Sequence, residues 1–166
     1  MKNKCLFSIP IIMFMTFFYS CYGQIQKDSL EQSQKDSLEQ KMFQDVQKSY
    51  LEANIPDQLQ FDSLLKRDLE KYFSTKSKQV VVKWEFLREG PTQSGVAYPK
   101  YYLWTKIYTD DKMLKEGAVR VAAIEKARFD ITDFVSIKEI NNHRKDIYMI
   151  FPGAVCEKIN LLIQNR

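Results

Sequence analysis

Histidine is nearly absent from this chain: His143 is the only one among 166 residues. A zinc centre draws on several histidines and cysteines, so His143 with Cys156 falls short of one, and no metal is expected. Glycine is scarce too, with five in all. That leaves little material for a phosphate-cradling loop, and no Gly-x-Ser-x-Gly, P-loop or dinucleotide fingerprint occurs. No cofactor is expected. Of three cysteines, Cys5 and Cys21 fall in an N-terminal segment that export removes or modifies. Cys156 stays alone, no intramolecular disulfide is available, and the fold has to be held by its core. Cys156 and His143 could be imagined as nucleophile and base. However, no motif of a thiol enzyme surrounds the cysteine. A small buried thiol accounts for Cys156 and a solvated loop for His143.

Long apolar runs are missing outside the N-terminus. There, Lys2 and Lys4 precede Leu6 to Tyr19, a run broken only by Ser8, Pro10 and Thr16. The run is too short for a membrane span and polar sequence follows it, so it reads as an export signal. Two cleavage sites fit. In one, Cys21 becomes a lipidated first residue. This resembles the bacterial lipoprotein signal, with Ser20 suited to its position and Phe18 and Tyr19 bulkier than usual. In the other, cleavage follows Gly23. The expected location is the bacterial cell envelope as a lipoprotein, or the periplasm or exterior, with membrane contact only through the anchor. Charge of either sign is also not in excess. Once Lys2 and Lys4 leave, 23 basic residues face 21 acidic ones, which argues against a nucleic-acid partner.

The length suits one domain. Residues 1–23 are assigned to the export signal and 24–40 to a spacer in which QKDSLEQ occurs twice, at 26–32 and 34–40. The spacer has almost nothing to bury, and its eight-residue period does not suit a coiled coil. Residues 41–166 form the expected domain. Phe43, Val46, Tyr50 and Leu51 recur at helical spacing until Ile55-Pro56. A second helix carries Phe61, Leu64, Leu65, Leu69, Tyr72 and Phe73 on one side and Lys66, Arg67, Glu70 and Lys71 on the other.

Residues 79–132 read as consecutive β-strands. Val80, Val82, Trp84 and Phe86 alternate with Val81, Lys83, Glu85 and Leu87. In the second run Tyr101, Leu103, Thr105 and Ile107 share one face, and Tyr102, Trp104, Lys106 and Tyr108 the other. Asp110-Asp111 suits a hairpin turn, although it lacks the glycine of a strong one. Val119, Val121, Ala123, Ala127, Phe129 and Ile131 fit one long third strand, with Glu125 the exception. The same alanine-rich stretch also admits a helix. Ser136-x-x-Glu139 is a capping box that announces a short helix. Asp146 to Phe151 is a helical turn or a fourth strand. Pro152 opens a last helix with Val155, Ile159, Leu162 and Ile163 on one stripe.

The expected fold is therefore α+β, with N-terminal helices and a C-terminal helix packed on a three- to four-stranded antiparallel meander. In element order alone it is loosely similar to cystatin-like and NTF2-like domains, which host unrelated functions. Carboxylate pairs at Asp110–Asp111 and Asp130–Asp133 read as solubilising groups. The second face of the sheet stands out: Tyr102, Trp104, Lys106 and Tyr108, joined by Arg120, Ile124, Lys126 and Arg128, interleave aromatics with cations as protein-binding surfaces do. Alternatively, helices from both ends cover both faces, and these rings are core. The expected function is an exported, non-catalytic domain that binds a partner protein or small ligand through Tyr102, Trp104, Lys106, Tyr108 and Arg120. A small NTF2-like pocket enzyme using Glu85 or Asp130, or an inhibitor or immunity-type protein, are the alternatives.

Overall fold

The structure is a computed structural model that describes Gln32 and residues 35–165. The segment expected to be an export signal, Cys21 and the first QKDSLEQ copy lie outside the described residues, apart from Gln32. The chain divides into two units, Met1–Val46 and Gln47–Arg166. In the first, residues 35–46 are helical and all exposed, including Leu38, Met42, Phe43 and Val46.

The second unit is α+β. It begins with helical residues 47–54 (α1), then α2 (Gln58–Phe73) and strands β1 (Val81–Phe86), β2 (Lys100–Thr109), β3 (Lys112–Ile124) and β4 (Arg128–Ser136). Helix α3 (Ile137–Asn141), a 3-10 turn (Ile147–Met149) and α4 (Gly153–Gln164) follow. The strands form one antiparallel sheet in the order β1-β2-β3-β4.

Both faces of this sheet are covered. On one, Leu65 and Leu69 of α2 meet Val82, Leu103, Ile107, Val119, Val121, Ala123 and Phe129, with Phe61 edge-on to Tyr101 and Phe129. The three- and four-residue spacing of the α2 stripe makes this a single contact face. On the other, Val155, Cys156 and Ile159 of α4 meet Leu87, Tyr102, Trp104, Ala118 and Val135. The alternation expected in β2 thus sorts residues into two cores, whereas in β1 the face of Val81, Lys83 and Glu85 stays exposed.

The stretch expected as one long strand is folded in half. Ile124 pairs with Arg128, and the turn between them places Glu125 at φ 49° and Lys126 at φ 56°. Positive φ at both central residues is the hairpin geometry that normally selects Asn-Gly. Here neighbouring helices hold it. Buried Asn54 accepts from the Glu125 N–H through its side chain at 3.1 Å and from the Lys126 N–H through its carbonyl at 2.9 Å. Arg67 donates to the Ala127 carbonyl at 3.0 Å, and Asp68 accepts from the Phe129 N–H at 2.7 Å. The second half of the run becomes β4, so residues 146–151 supply the 3-10 turn and no strand. The helical alternative does not occur. The Asp110-Asp111 turn is as expected, and it too has positive φ at both residues, 49° and 61°.

A bulge opposite Arg120 and Val121 reverses the parity of β4, so that Phe129 and Phe134 face α2 while Val135 faces α4. Arg120 sits over it, donating to Thr132 at 3.1 Å, Asp133 at 2.7 Å and the Ile150 carbonyl at 2.9 Å. Pairing ends at Gly117 opposite Ser136, where the backbones come so close that a Cβ on Gly117 would collide with the Val135 carbonyl oxygen.

Asn54→Ala leaves the Glu125 N–H without its acceptor and is expected to cost about 1–3 kcal/mol. Lys126→Gly relieves a left-handed residue and is expected to stabilise by about 1 kcal/mol. Urea unfolding of both variants checks the pair; an unchanged midpoint for Asn54→Ala would show that the turn stands without its clamp.

Candidate functional site

The five residues expected to bind a partner do not form one surface. Tyr102 and Trp104 are 4% and 2% exposed, because the 3-10 turn and α4 close over them. Tyr102 shares its hydroxyl with Thr92 at 2.6 Å and packs edge-on to Phe151. Trp104 donates its indole N–H to buried Glu116 at 2.7 Å, which satisfies the polar edge of an otherwise apolar ring. Arg120 is engaged at the β4 bulge. Only Lys106 and Tyr108 lie towards the open end of that face. Lys106 is 3.9 Å from Glu116, and Lys83 stands over the Tyr108 ring at 5.3 Å. The expected docking face is thereby corrected: its centre is interior.

An opening lies instead at the other edge of the same sheet end. Because β4 stops at Ser136 opposite Gly117, residues 112–116 of β3 run on with β2 as their single strand neighbour. The chain leaving β4 turns into α3, and a groove of about 770 Å³ lies where the two separate. Tyr72, Met113, Leu114, Phe134 and Ile137 give it apolar walls, while Lys115, Lys138, Arg144 and Lys145 add four cations. Tyr72, Met113 and Leu114 are half exposed. A sequence signal existed: Met113 and Leu114 are adjacent apolar residues beside a charged turn, where strict alternation would allow only one to be buried.

The acids of the groove have structural partners. Glu116 holds Trp104. Glu139 completes the capping box, accepting from the Ser136 N–H at 2.9 Å and its hydroxyl at 2.8 Å, while the Glu139 N–H donates to that hydroxyl. Lys145 lies 3.1 Å from Glu139 and donates to the Phe134 carbonyl. These bonds, the Ser136 backbone N–H foremost, pull the Glu139 carboxyl from its ordinary 4.5 down to about 2. By contrast, Lys115, Lys138 and Arg144 make no ion pair among the described residues.

The other candidates are placed plainly. Cys156 is fully buried, its S–H facing the Ile147 and Phe151 carbonyls at 3.4 Å, and burial pushes its pKa up. His143 is exposed, in the loop after α3. Glu85 is exposed on β1, and Asp130 is an exposed partner of Arg128 at 3.2 Å, so neither is a pocket acid. Among the described residues no cluster of three or more His, Cys, Asp or Glu could hold a metal. No described helix is long and apolar enough to cross a membrane. Comparison with protein-family models, curated proteins and solved structures found no match.

Two outcomes follow from this placement. Trp104→Ala removes a buried indole together with the N–H that Glu116 accepts, so it is expected to destabilise the domain by about 3–5 kcal/mol. Calorimetry reads this directly, and an unshifted Tm would return Trp104 to the surface. Glu139 has a folded pKa below its unfolded one, so its stabilisation is present above about pH 4.5 and is lost as pH falls towards about 2. The Tm gap between the protein and Glu139→Gln should therefore close over that window. A gap constant from neutrality to below pH 2 would contradict the assignment.

Proposed function

We propose that this is an exported, non-catalytic domain that binds a partner protein or small ligand in the groove between the β3 overhang and α3. The observation that carries this reading is the lining of the groove. It combines half-exposed apolar side chains with Lys115, Lys138 and Arg144, none of which has an ion-pair partner among the described residues. Apolar walls with a few convergent polar groups are the usual make-up of a binding site. Its acids are engaged in capping and in holding an indole, and the Ser136 hydroxyl on its wall is held in the same capping box by Glu139. Export rests on the N-terminal sequence, with Cys21 as the lipidated residue or cleavage after Gly23. A lipid anchor would tether the domain to the envelope without crossing it.

A photo-crosslinking residue at Leu114 tests the groove in cells that make the protein. Recovery of a discrete adduct is expected, and Met113→Asp should remove it without lowering the Tm, because Met113 is half exposed. Crosslinks no more specific than those from exposed Leu59 on α2 would count against the site. Intact mass of the mature chain tests export: a diacylglycerol-modified N-terminal Cys21 or an N-terminal Gln24 is expected, and retention of Met1 to Gly23 refutes it.

A further inference from the structure

We infer that the occupant of this groove is an extended acidic segment of a partner protein, added as a strand to β3 along residues 112–115. The inference rests on the binding reading above and names the partner's chemistry.

The first observation is an open ladder. A strand with one neighbour turns alternate N–H and C=O groups away from it, and these template a further strand. The other edges of this sheet have groups already engaged. Lys158 donates to the Phe86 carbonyl at the end of β1 at 2.9 Å, and exposed Lys83 and Glu85 alternate along that strand. On β4, Asp68 takes the Phe129 N–H and Lys145 the Phe134 carbonyl. Along residues 112–115, Lys112, Met113 and Lys115 pair with β2 while Leu114 bulges out between Ile107 and Tyr108, and apart from that pairing no described residue bonds the backbone. The geometry at Gly117 keeps it so. β4 is pressed against β3 there, and the chain turns into a capped α3 instead of continuing alongside.

The second observation is charge. Lys115, Lys138 and Arg144 line the groove without ion pairs among the described residues, and its two acids are committed. Three uncompensated cations beside an open edge favour a strand bearing Asp or Glu. The apolar walls of Met113, Leu114 and Tyr72 take the side chains that alternate with those acids. Main-chain bonds supply affinity, and the alternating pockets select the sequence.

The probe is a fluorescein-labelled peptide alternating Glu with Val, titrated with the protein as the cell processes it and read by anisotropy. Binding is expected, weakening as salt is raised. Methylating alternate backbone nitrogens should weaken it at least about tenfold, since it removes ladder donors. The double variant Lys138→Glu with Arg144→Glu should weaken it by a similar factor with its Tm unchanged, both residues being exposed. Indifference to both N-methylation patterns overturns strand addition, and equal binding of a Lys–Val peptide overturns the acidic class. Dimerisation abolished by the double variant assigns the edge to a second copy and overturns the inference. If Leu114 still captures a partner while no peptide binds, the inference fails and the binding reading stands; if both fail, the reading fails with it.

Discussion

The structure depends on the clamp around the turn between β3 and β4. Glu125 and Lys126 are both left-handed, a conformation that costs an ordinary residue about 1–2 kcal/mol. Against this stand hydrogen bonds from Asn54, Arg67 and Asp68, which arrive from α1 and α2 and cap donors and acceptors of residues 125–129. The two neutral bonds to Asn54 contribute about 0.5–1.5 kcal/mol each and the two with Arg67 and Asp68 about 1.5–3 each, so together they exceed the roughly 2–4 kcal/mol of strain in the two residues. The turn exists because the helices are there to hold it. Once it forms, Phe129 returns to the α2 face, β4 exists, and the sheet has four strands.

Four strands of unequal reach then determine what is open and what is closed. α2 covers one face and α4 with the 3-10 turn covers the other, so each aromatic-rich face of β2 becomes an interior. Arg120 ties the β4 bulge to the Ile150 carbonyl and holds the second cover in place. Close approach at Gly117 ends β4 short of the β2–β3 hairpin. The groove beside α3 is the consequence: one strand continues after its neighbour has turned away. The Ser136–Glu139 capping box sets where that departure begins.

Much of the second unit is legible in its residues. The α2 stripe, the two faces of β1 and β2, the Asp110-Asp111 turn, the Ser136 capping box and Pro152 at the start of α4 follow from local rules. Neighbouring residues i, i+2 or i, i+4 carry all the information those rules need. The parity of Val119, Val121, Ala123, Phe129 and Ile131 was also visible. The turn between them was not, because Glu125-Lys126 lacks the Gly or Asn that marks a reversal. The groove was invisible for a related reason, since it arises from a difference in strand length, which no single strand records.

Alternation by itself determined that this protein has a β-meander with helices before and after it, and that Tyr102, Trp104 and Lys106 share a face. Which face is wet is a different question. A period of two separates side chains into two sets without saying whether one, both or neither is covered. Only the packing of α4 on Trp104, and the bonds from Asn54 and Asp68 to a turn roughly sixty to seventy residues away, decided that both sets are core. Those bonds join residues far apart in the chain, so their energy is expressed only when the chain has folded.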